Sequence, residues 1–389
     1  MKSKRGSLQL VKNLDWMLIG IVVIIVLFGV VSLLSVTNTG FTDEELPFWD
    51  FIDTLDFEYA RLQLIYFAVG IVIAIAATLI DYNNIRDFTV IVYWVSIAML
   101  VLVLLFGSEV NGTKGWFKFG SRGFQPAEVC KVTMIVVFAK EFSKATDSGK
   151  HGISSFKDLW PLMWRFAIPF ALVLLQKDFG TSMVYLFIFI GMMFIAKTSL
   201  KIMGILGGVV LGAAPLAWFV FFDEYQKERI INLFNPEQDL EGSGYNVAQA
   251  KNVLKAGGME GKGFFSSDLL TQSSTYLPED HTDFIFSATG EAIGFWGSVL
   301  LIAVYFILLL RMVMLALKAK DDFGSLIIMG VVFMFLFHIV ENIGMNIGVM
   351  PVTGIPLPLF SYGGSYMLTS MAALGLVLNV NMRRTRTAL

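Results

Sequence analysis

Four ionisable residues lie just before a long apolar segment of this chain: Glu279, Asp280, His281 and Asp283. Asp283 is followed directly by an apolar run, so its charge would lie at a membrane boundary. A charge there is costly unless water solvates it, an opposite charge pairs with it or it serves a function. A carboxylate there could act as a general base or hold a divalent cation. It could equally cap the following helix, because the helix dipole favours acids in the first turn.

The residues after Asp283 indicate how that carboxylate would be oriented. If a helix starts near Asp283, that residue shares one face with Ser287, Glu291 and Gly294 at helical spacing. This face is polar and small, so we expect it to point into a helix bundle.

A second candidate is the pair Glu128 and Lys131, which lies one helical turn apart in a segment of membrane length. Pro126 suits the first turn of that helix, and Lys114, Trp116 and Gln125 precede it. Ionisable residues inside a membrane are functional candidates by default. Lys131 would then offer positive charge to an anionic ligand such as a diphosphate, and the alternative is a buried structural ion pair.

Two further polar sets accompany these pairs. Asp178 and Thr181 lie in a turn, where they could belong to the site or cap the next helix. His338, Asn342 and Asn346 recur every four residues along one helix, which predicts either a functional stripe or hydrogen bonds between helices.

The proline-rich stretch 351–358 follows that stripe and cannot form a regular helix. At membrane depth such backbone survives only where it is buried in protein or lines a cavity. Ser361-Tyr362-Gly363-Gly364-Ser365 comes directly after it. We expect the two glycines to serve packing unless this segment bends back toward a ligand.

The elements that must position these residues are membrane-spanning helices. The chain is 56% hydrophobic and only 15% charged, with a mean hydropathy of +0.70, whereas soluble proteins average about 25% charged residues. We predict an all-α polytopic membrane protein forming a single domain over 1–389. Ten segments reach spanning length: 15–36, 61–80, 88–106, 125–142, 160–176, 179–197, 199–222, 284–312, 324–350 and 359–381.

Lys and Arg cluster in alternate short connections, whereas the first loop of opposite orientation is acidic, which predicts both termini on the cytoplasmic side. Residues 223–283 then form one large extracellular loop, too long for a simple connector. Its glycine-rich stretches 242–245 and 257–263 could approach a ligand closely. The net charge of -2 argues against a nucleic-acid partner, and the single Cys130 excludes an internal disulfide. No cleavable signal is expected.

These features fit a transporter, or an enzyme acting on a lipid-linked substrate at the outer leaflet, and physical chemistry alone does not separate the two. Five ordered motifs, however, resemble those of the SEDS family of bacterial RodA, FtsW and SpoVE-like proteins. They are Gln125-Pro126-Ala127-Glu128 with Lys131, Asp178-Phe179-Gly180-Thr181, Gly261-Lys262-Gly263, Leu277-Pro278-Glu279 with His281-Thr282-Asp283-Phe284, and Ser361-Tyr362-Gly363-Gly364-Ser365. Asn342-Ile343-Gly344-Met345 and the run 351–358 are more similar to the RodA type than to FtsW.

Four positions depart from the family pattern. Lys177 replaces a usual proline, and Gly115 stands where an arginine is common, leaving Lys114 as the nearest cation. Ala292 replaces the second acid of a pair, and Thr275 occupies a position that is acidic in some relatives. The departures bear on auxiliary ligands and not on Asp283.

The resemblance implies a peptidoglycan glycosyltransferase in the bacterial cytoplasmic (inner) membrane. It would polymerise lipid II by an inverting displacement that releases undecaprenyl diphosphate, for cell-wall elongation and rod shape. Asp283 would be the catalytic base and Glu128 would orient Lys131. The remaining substrate-binding candidates are Lys131, Lys114, Trp116, Gln125, Asp178, Thr181, His281, Thr282, Glu291, Asn342, Ser361 and Tyr362.

The resemblance further implies a class B penicillin-binding protein as transpeptidase partner, together with other elongation proteins. A divalent cation, Mg²⁺ or Mn²⁺, could assist at a site that the sequence does not fix, and no organic cofactor is expected. The alternatives are a lipid II flippase, a division or sporulation paralogue, or a scaffold that recruits the transpeptidase.

Overall fold

The computed structural model describes residues 13–38, 48–110, 112–120, 122–147, 153–220, 224–234, 242–270 and 277–384. Thr275 lies outside these ranges. The helices of the described residues are α1 Trp16–Thr37, α2 Phe48–Thr54, α3 Glu58–Leu79, α4 Tyr82–Phe106, α5 Pro126–Asp147, α6 Phe156–Leu175, α7 Phe179–Ile195, α8 Leu200–Val220, α9 Glu224–Phe234, α10 Ser243–Ala256, α11 Ile285–Ala316, α12 Asp322–Ile347 and α13 Gly364–Met382.

Each of the ten predicted spans contains one helix. Among the described residues, seven helices are long and apolar enough to cross a membrane: α1, α3, α4, α6, α11, α12 and α13. Apolar helices also occupy the sixth and seventh predicted spans, with shorter apolar stretches, and α5 fills the fourth. The membrane-protein class is therefore confirmed, whereas the count of ten, the cytoplasmic termini and the extracellular position of 223–283 stay predictions.

The boundaries differ from the predicted ones where backbone chemistry intervenes. The tenth span was predicted from residue 359, but its helix begins at Gly364 because the proline-rich run and the turn after it are irregular. The eighth, α11, is broken at Gly294, whose backbone has φ 68° and ψ −170°. Only glycine adopts that conformation readily.

A small antiparallel sheet corrects the all-α prediction. It consists of β1 Ser108–Val110, β2 Thr113–Phe119 and β3 Arg122–Phe124, in the order β1-β2-β3. Phe117 pairs with Phe124 and Phe119 with Arg122, and Gly120 turns the chain with φ 65°. Aromatic and β-branched residues favour these strands. β1 and β3 have only three residues each, however, and the seven residues of β2 do not alternate cleanly between apolar and polar.

The two most buried spans, α12 and α13, lie at the centre of the bundle. α12 packs against α5, α7 and α11, and α13 packs against α3. The end of α12 lies at the same end of the bundle as the starts of α5, α7, α11 and α13. Sequence segments far apart in the chain therefore meet at that end.

The stretch 257–263 lies against the break in α11. The amides of Lys262 and Gly263 donate to the carbonyls of Glu291 and Ala292, at 3.0 and 2.9 Å. In return, the amide of Phe295 donates to Gly258, at 2.9 Å. Gly261 approaches Gly294 so closely that no side chain fits between them. These glycines thus serve contact with a helix, which differs from the predicted approach to a ligand.

Candidate active site

A cavity of about 310 Å³ opens where these helix ends meet. Its walls come from the small sheet, the starts of α5, α7 and α13, helix α9, the segment before α11 and the loop after α12. The polar and aromatic lining residues are Thr113, Trp116, Gln125, Glu128, Asp178, Thr181, Arg229, Glu279, Thr282, Asp283, His338, Thr353, Tyr362, Ser365 and Tyr366.

Asp283 lies in this cavity, held by the polar stripe of α12. Its carbonyl accepts hydrogen bonds from Nδ2 of Asn342 at 2.9 Å and Nδ2 of Asn346 at 3.0 Å. Asn346 also accepts the amide of Ser287 at 2.8 Å, and Asn342 reaches the carbonyl of Ile355 at 2.8 Å. Both asparagines are fully buried, so their amides fix the backbone of Asp283 and leave its carboxylate for chemistry.

The surroundings of Asp283 make its carboxyl a weak acid. Burial raises the pKa of Asp283 from its ordinary 3.8 to about 7, and the negative charge of Glu279 adds to that rise. The positive charges of Arg229 and His281 oppose it. A carboxyl with a pKa near neutrality is well matched to general-base catalysis.

The expected helical face through Asp283 is wrong at its first member, because α11 begins at Ile285 and Phe284 is its N-cap. Glu291 does not line the cavity. Its Oε1 accepts from Nζ of Lys262 at 2.8 Å and from the amide of Leu270 at 2.7 Å, in a buried pocket against the 257–263 stretch. Glu291 therefore anchors the large loop.

Lys131 is fully buried beneath the cavity floor. Its Nζ lies 2.7 Å from Oε2 of Glu128, 3.0 Å from Nε2 of His338 and 5.2 Å from the ring centre of Tyr366. Because an ammonium only donates, Nε2 of His338 accepts. The Nδ1 of that ring therefore carries the proton and donates to the carbonyl of Pro356, at 3.2 Å. The structural ion pair is present, and its carboxylate faces the cavity.

Asp178 caps the next helix and also lines the cavity. Its Oδ1 accepts the amide of Thr181 at 2.9 Å, which caps α7. Its Oδ2 accepts from Nε2 of Gln125 at 2.7 Å, and all three residues line the cavity. The cap therefore joins the starts of α5 and α7.

The other candidates separate into two groups. Trp116 and Thr282 line the cavity, the latter donating to Oε2 of Glu279 at 3.0 Å. Lys114 is exposed on β2 outside the cavity. Ser361 is buried outside the cavity, where its Oγ accepts the amide of Leu357 at 2.8 Å and fixes the irregular loop.

Sequence reasoning missed two polar or aromatic cavity residues, Tyr366 and, more importantly for charge, Arg229. It lies on α9 within the large loop, and its charge acts on both Asp283 and Asp178. The sequence signal was an arginine in a short amphipathic helix of that loop, which does not stand out from ordinary surface charge.

Comparison with known proteins places this geometry in a family. Residues 12–386 match the family model of FtsW, RodA and SpoVE, described as cell cycle proteins. The chain belongs to this family. Its relatives include the peptidoglycan glycosyltransferase MrdB of Escherichia coli K12, 32% identical over 82% of this chain and 84% of MrdB. The stage V sporulation protein E of Bacillus subtilis is 31% identical over 93% and 96% of the two chains.

Solved structures of the family share the fold. A chain of a peptidoglycan synthase complex that coordinates polymerization and crosslinking superposes with a TM-score of 0.76 at 30% identity, covering 96% of this chain and 99% of that one. The rod shape determining protein RodA of Thermus thermophilus gives a TM-score of 0.69 at 28% identity, covering 96% and 98%. The predicted family resemblance is confirmed.

Proposed function

We propose that this family member is a peptidoglycan glycosyltransferase that polymerises lipid II at the outer leaflet of the bacterial cytoplasmic membrane. The observation that carries the proposal is Asp283, a carboxyl with a pKa of about 7 inside a cavity that also holds the cation Arg229. A base beside a positive charge suits the transfer of a sugar from a diphosphate to a hydroxyl. The names of the family relatives support the same chemistry.

The proposed reaction forms one bond and breaks one. The acceptor sugar's hydroxyl oxygen attacks the anomeric carbon of the donor sugar from the face opposite the diphosphate, so the configuration inverts. Asp283 takes the hydroxyl proton as the new glycosidic bond forms. The bond between the anomeric carbon and the diphosphate oxygen breaks, and undecaprenyl diphosphate leaves with the electron pair.

Two cations would stabilise the leaving diphosphate from different places. Arg229 lines the cavity and could contact phosphate oxygens directly. Lys131 acts from beneath the floor, where Glu128 and His338 hold its Nζ in place. Because Glu128 offsets the charge of Lys131, we assign the larger direct contribution to Arg229.

The proposed divalent cation has no evident protein cage. Among the described residues, no three His, Cys, Asp or Glu side chains converge as a metal site would require. Dependence on Mg²⁺ or Mn²⁺ stays a prediction, which polymerisation with and without a chelator tests.

The decisive experiment is polymerisation of lipid II by the purified protein together with its transpeptidase partner. Asp283→Asn should make no glycan polymer, because the amide cannot accept the proton. Asp280→Asn is the matched control at pH 8, where Asp283 is largely ionised. That acid binds His281 at 3.1 Å and does not line the cavity, so the variant should retain polymerisation at this pH. Normal polymer from Asp283→Asn would overturn the proposal.

The flippase alternative drew its support from the polar stripe of α12. In the structure, His338, Asn342 and Asn346 are buried and bonded to backbone carbonyls or to Lys131, so they fix the site. This leaves no observation that favours transport. A scaffold role likewise leaves the buried Glu128 and Lys131 unexplained.

We propose elongation as the pathway, on the similarity of 342–345 and 351–358 to the RodA type. Identities to MrdB, FtsW and sporulation relatives all lie between 31% and 33%, so division and sporulation stay alternatives. A class B penicillin-binding protein is the proposed partner, alongside other elongation proteins. Its membrane helix would pack beside α11 and α12, where Trp296, Leu300 and Phe306 are exposed.

A further inference from the structure

Beside the cavity lies a cluster of four aromatic rings, and the proposed reaction does not use this cluster. They are Tyr59 and Tyr66 of α3, His281 and Tyr362, which we call the aromatic wall. The ring centre of Tyr59 lies 4.8 Å from His281 and 5.0 Å from Tyr362, the latter edge to face. Tyr66 lies 6.4 Å from Tyr362. All four side chains are partly exposed, and Tyr66 and Tyr362 also pack against the core.

The aromatic wall is rigidly joined to the candidate active site. Tyr362 lines the cavity, and its amide donates to the carbonyl of His281 at 3.0 Å. His281 precedes Asp283 by two residues. Buried Gln63, one turn along α3 from Tyr59, donates to the carbonyl of Ser361 at 3.0 Å. The rings therefore keep a fixed position relative to the reacting carboxylate.

The wall's location indicates which part of a substrate could reach it. Tyr59 lies in the first turn of α3, whereas Lys131 is fully buried in the second turn of α5, beneath the cavity floor. A diphosphate would lie against the two cations, Arg229 in the cavity lining and Lys131 beneath the floor. The wall reaches Asp283 from the side of α3, through His281 and Tyr362. It would therefore face sugars joined to the reacting centre rather than the diphosphate.

Charge around the wall selects among possible ligands. Glu58 adjoins Tyr59, and Glu279 and Asp280 adjoin His281. These acids disfavour a phosphate or a peptide carboxylate by like-charge repulsion. Burial lowers the pKa of His281, but its hydrogen bond to Asp280 and the nearby acids outweigh that effect and raise it. The positive charge of His281 is therefore paired with Asp280 and is offset by that acid. A neutral ligand with both apolar faces and hydroxyl groups fits best.

We propose that the aromatic wall is a saccharide subsite that holds pyranose rings of the glycan strand beyond the reacting sugar. The inference rests on the proposed function and adds Tyr59 and Tyr66 to the residues that contact substrate. The C–H groups on a pyranose face pack against the negative face of an aromatic ring, while phenol and imidazole groups reach its hydroxyls. Such a subsite retains the product strand between successive additions.

The first test measures binding without catalysis. The protein carrying Asp283→Asn is titrated with chitotetraose, a neutral oligosaccharide without lipid, phosphate or peptide, and binding is followed by saturation-transfer NMR. Adding Tyr59→Ala should weaken binding about tenfold, as expected for loss of one stacked ring. Tyr59→Phe should retain it. Trp49→Ala, which removes an exposed ring of α2, should leave binding unchanged.

The second test uses the active protein with its transpeptidase partner and lipid II. Tyr59→Ala should shorten the glycan strands several-fold, whereas Tyr59→Phe should give strands of parental length. Thermal unfolding in detergent checks that both variants fold alike. If the alanine variant does not fold, Tyr59→Leu, which keeps apolar bulk without the ring, takes its place and should show the same losses.

The possible results distinguish failure of the saccharide subsite from failure of the proposed function. Equal chitotetraose binding with and without the Tyr59 ring, or no binding to the parent, overturns the saccharide subsite. Polymer from Asp283→Asn overturns the base while leaving the binding result intact. Weaker binding and shorter strands with Tyr59→Ala, both restored by Tyr59→Phe, support the subsite.

Discussion

The pH dependence of polymerisation should report the environment of Asp283. With a pKa of about 7, about a tenth of this carboxyl is ionised at pH 6 and about nine tenths at pH 8. Because only the ionised form accepts a proton, kcat/KM should rise roughly tenfold over that interval. At its ordinary pKa of 3.8, the same carboxyl would give a flat profile there.

Two substitutions should move this profile in opposite directions. Glu279→Gln removes a negative charge that raises the pKa of Asp283, so the rise should move to lower pH. The glutamine retains an oxygen that can accept from Thr282, which keeps the local hydrogen bond.

Asp280→Asn acts through His281. Its carboxylate helps to raise the pKa of His281, so the asparagine leaves that ring less charged near neutral pH. The positive charge of His281 lowers the pKa of Asp283, so losing it should move the rise to higher pH.

The assay is the initial rate of polymer formation at lipid II concentrations well below KM, between pH 5.5 and 8.5, with the transpeptidase partner present. A tenfold change in the acid dissociation constant of Asp283 corresponds to about 1.4 kcal/mol of differential interaction between its charged and neutral forms. A flat profile, or movement of the rise in the same direction for both variants, would refute the assignment of Asp283 as the titrating base.

Two further outcomes follow from the site. Lys131→Met should lower the unfolding free energy by about 3–5 kcal/mol, because it leaves the Glu128 carboxylate buried without its cation. Adding Glu128→Gln to Lys131→Met should restore much of the lost stability, measured by thermal unfolding, but not the polymerisation rate. A Lys131→Met protein as stable as the parent would contradict this prediction. Gly363→Leu should block polymerisation at unchanged thermal stability. Gly363 lines the cavity and has extended backbone, which any residue can adopt. A Cβ atom added there would meet only Cβ of Tyr366, at 3.7 Å, so the leucine side chain would fit and fill the cavity. Gly363→Ala, which fills little of the cavity, should remain active, and full activity of the leucine variant would show that substrate does not occupy this space.

The sequence predicted well what depends on local pattern. Runs of apolar residues located the spans, and ionisable residues inside them located Glu128 and Lys131. The capping role of Asp178 was recognisable, because capping needs only the next three residues.

The remaining features depend on contacts between distant segments. Glu291 matched the helical face of Asp283, but Lys262, 29 residues earlier, binds it outside the cavity. Ser361 and Asn342 were expected at the substrate, yet both bind backbone. Arg229 was overlooked because only the packing of α9 over the cavity distinguishes it from a surface arginine.

The break at Gly294 makes the large loop part of the membrane domain's integrity. The carbonyls of Glu291 and Ala292 have lost their helical partners, and an unsatisfied carbonyl in hydrocarbon costs several kcal/mol. The amides of Lys262 and Gly263 donate hydrogen bonds to these two carbonyls and so hold the broken helix together. A force that pulls the loop away from α11 must therefore either break these two hydrogen bonds or tilt the part of α11 before Gly294 with it. In the second case the force also displaces Asp283, eight residues before Glu291. Mechanical load on the loop would then change the position of the proposed catalytic base.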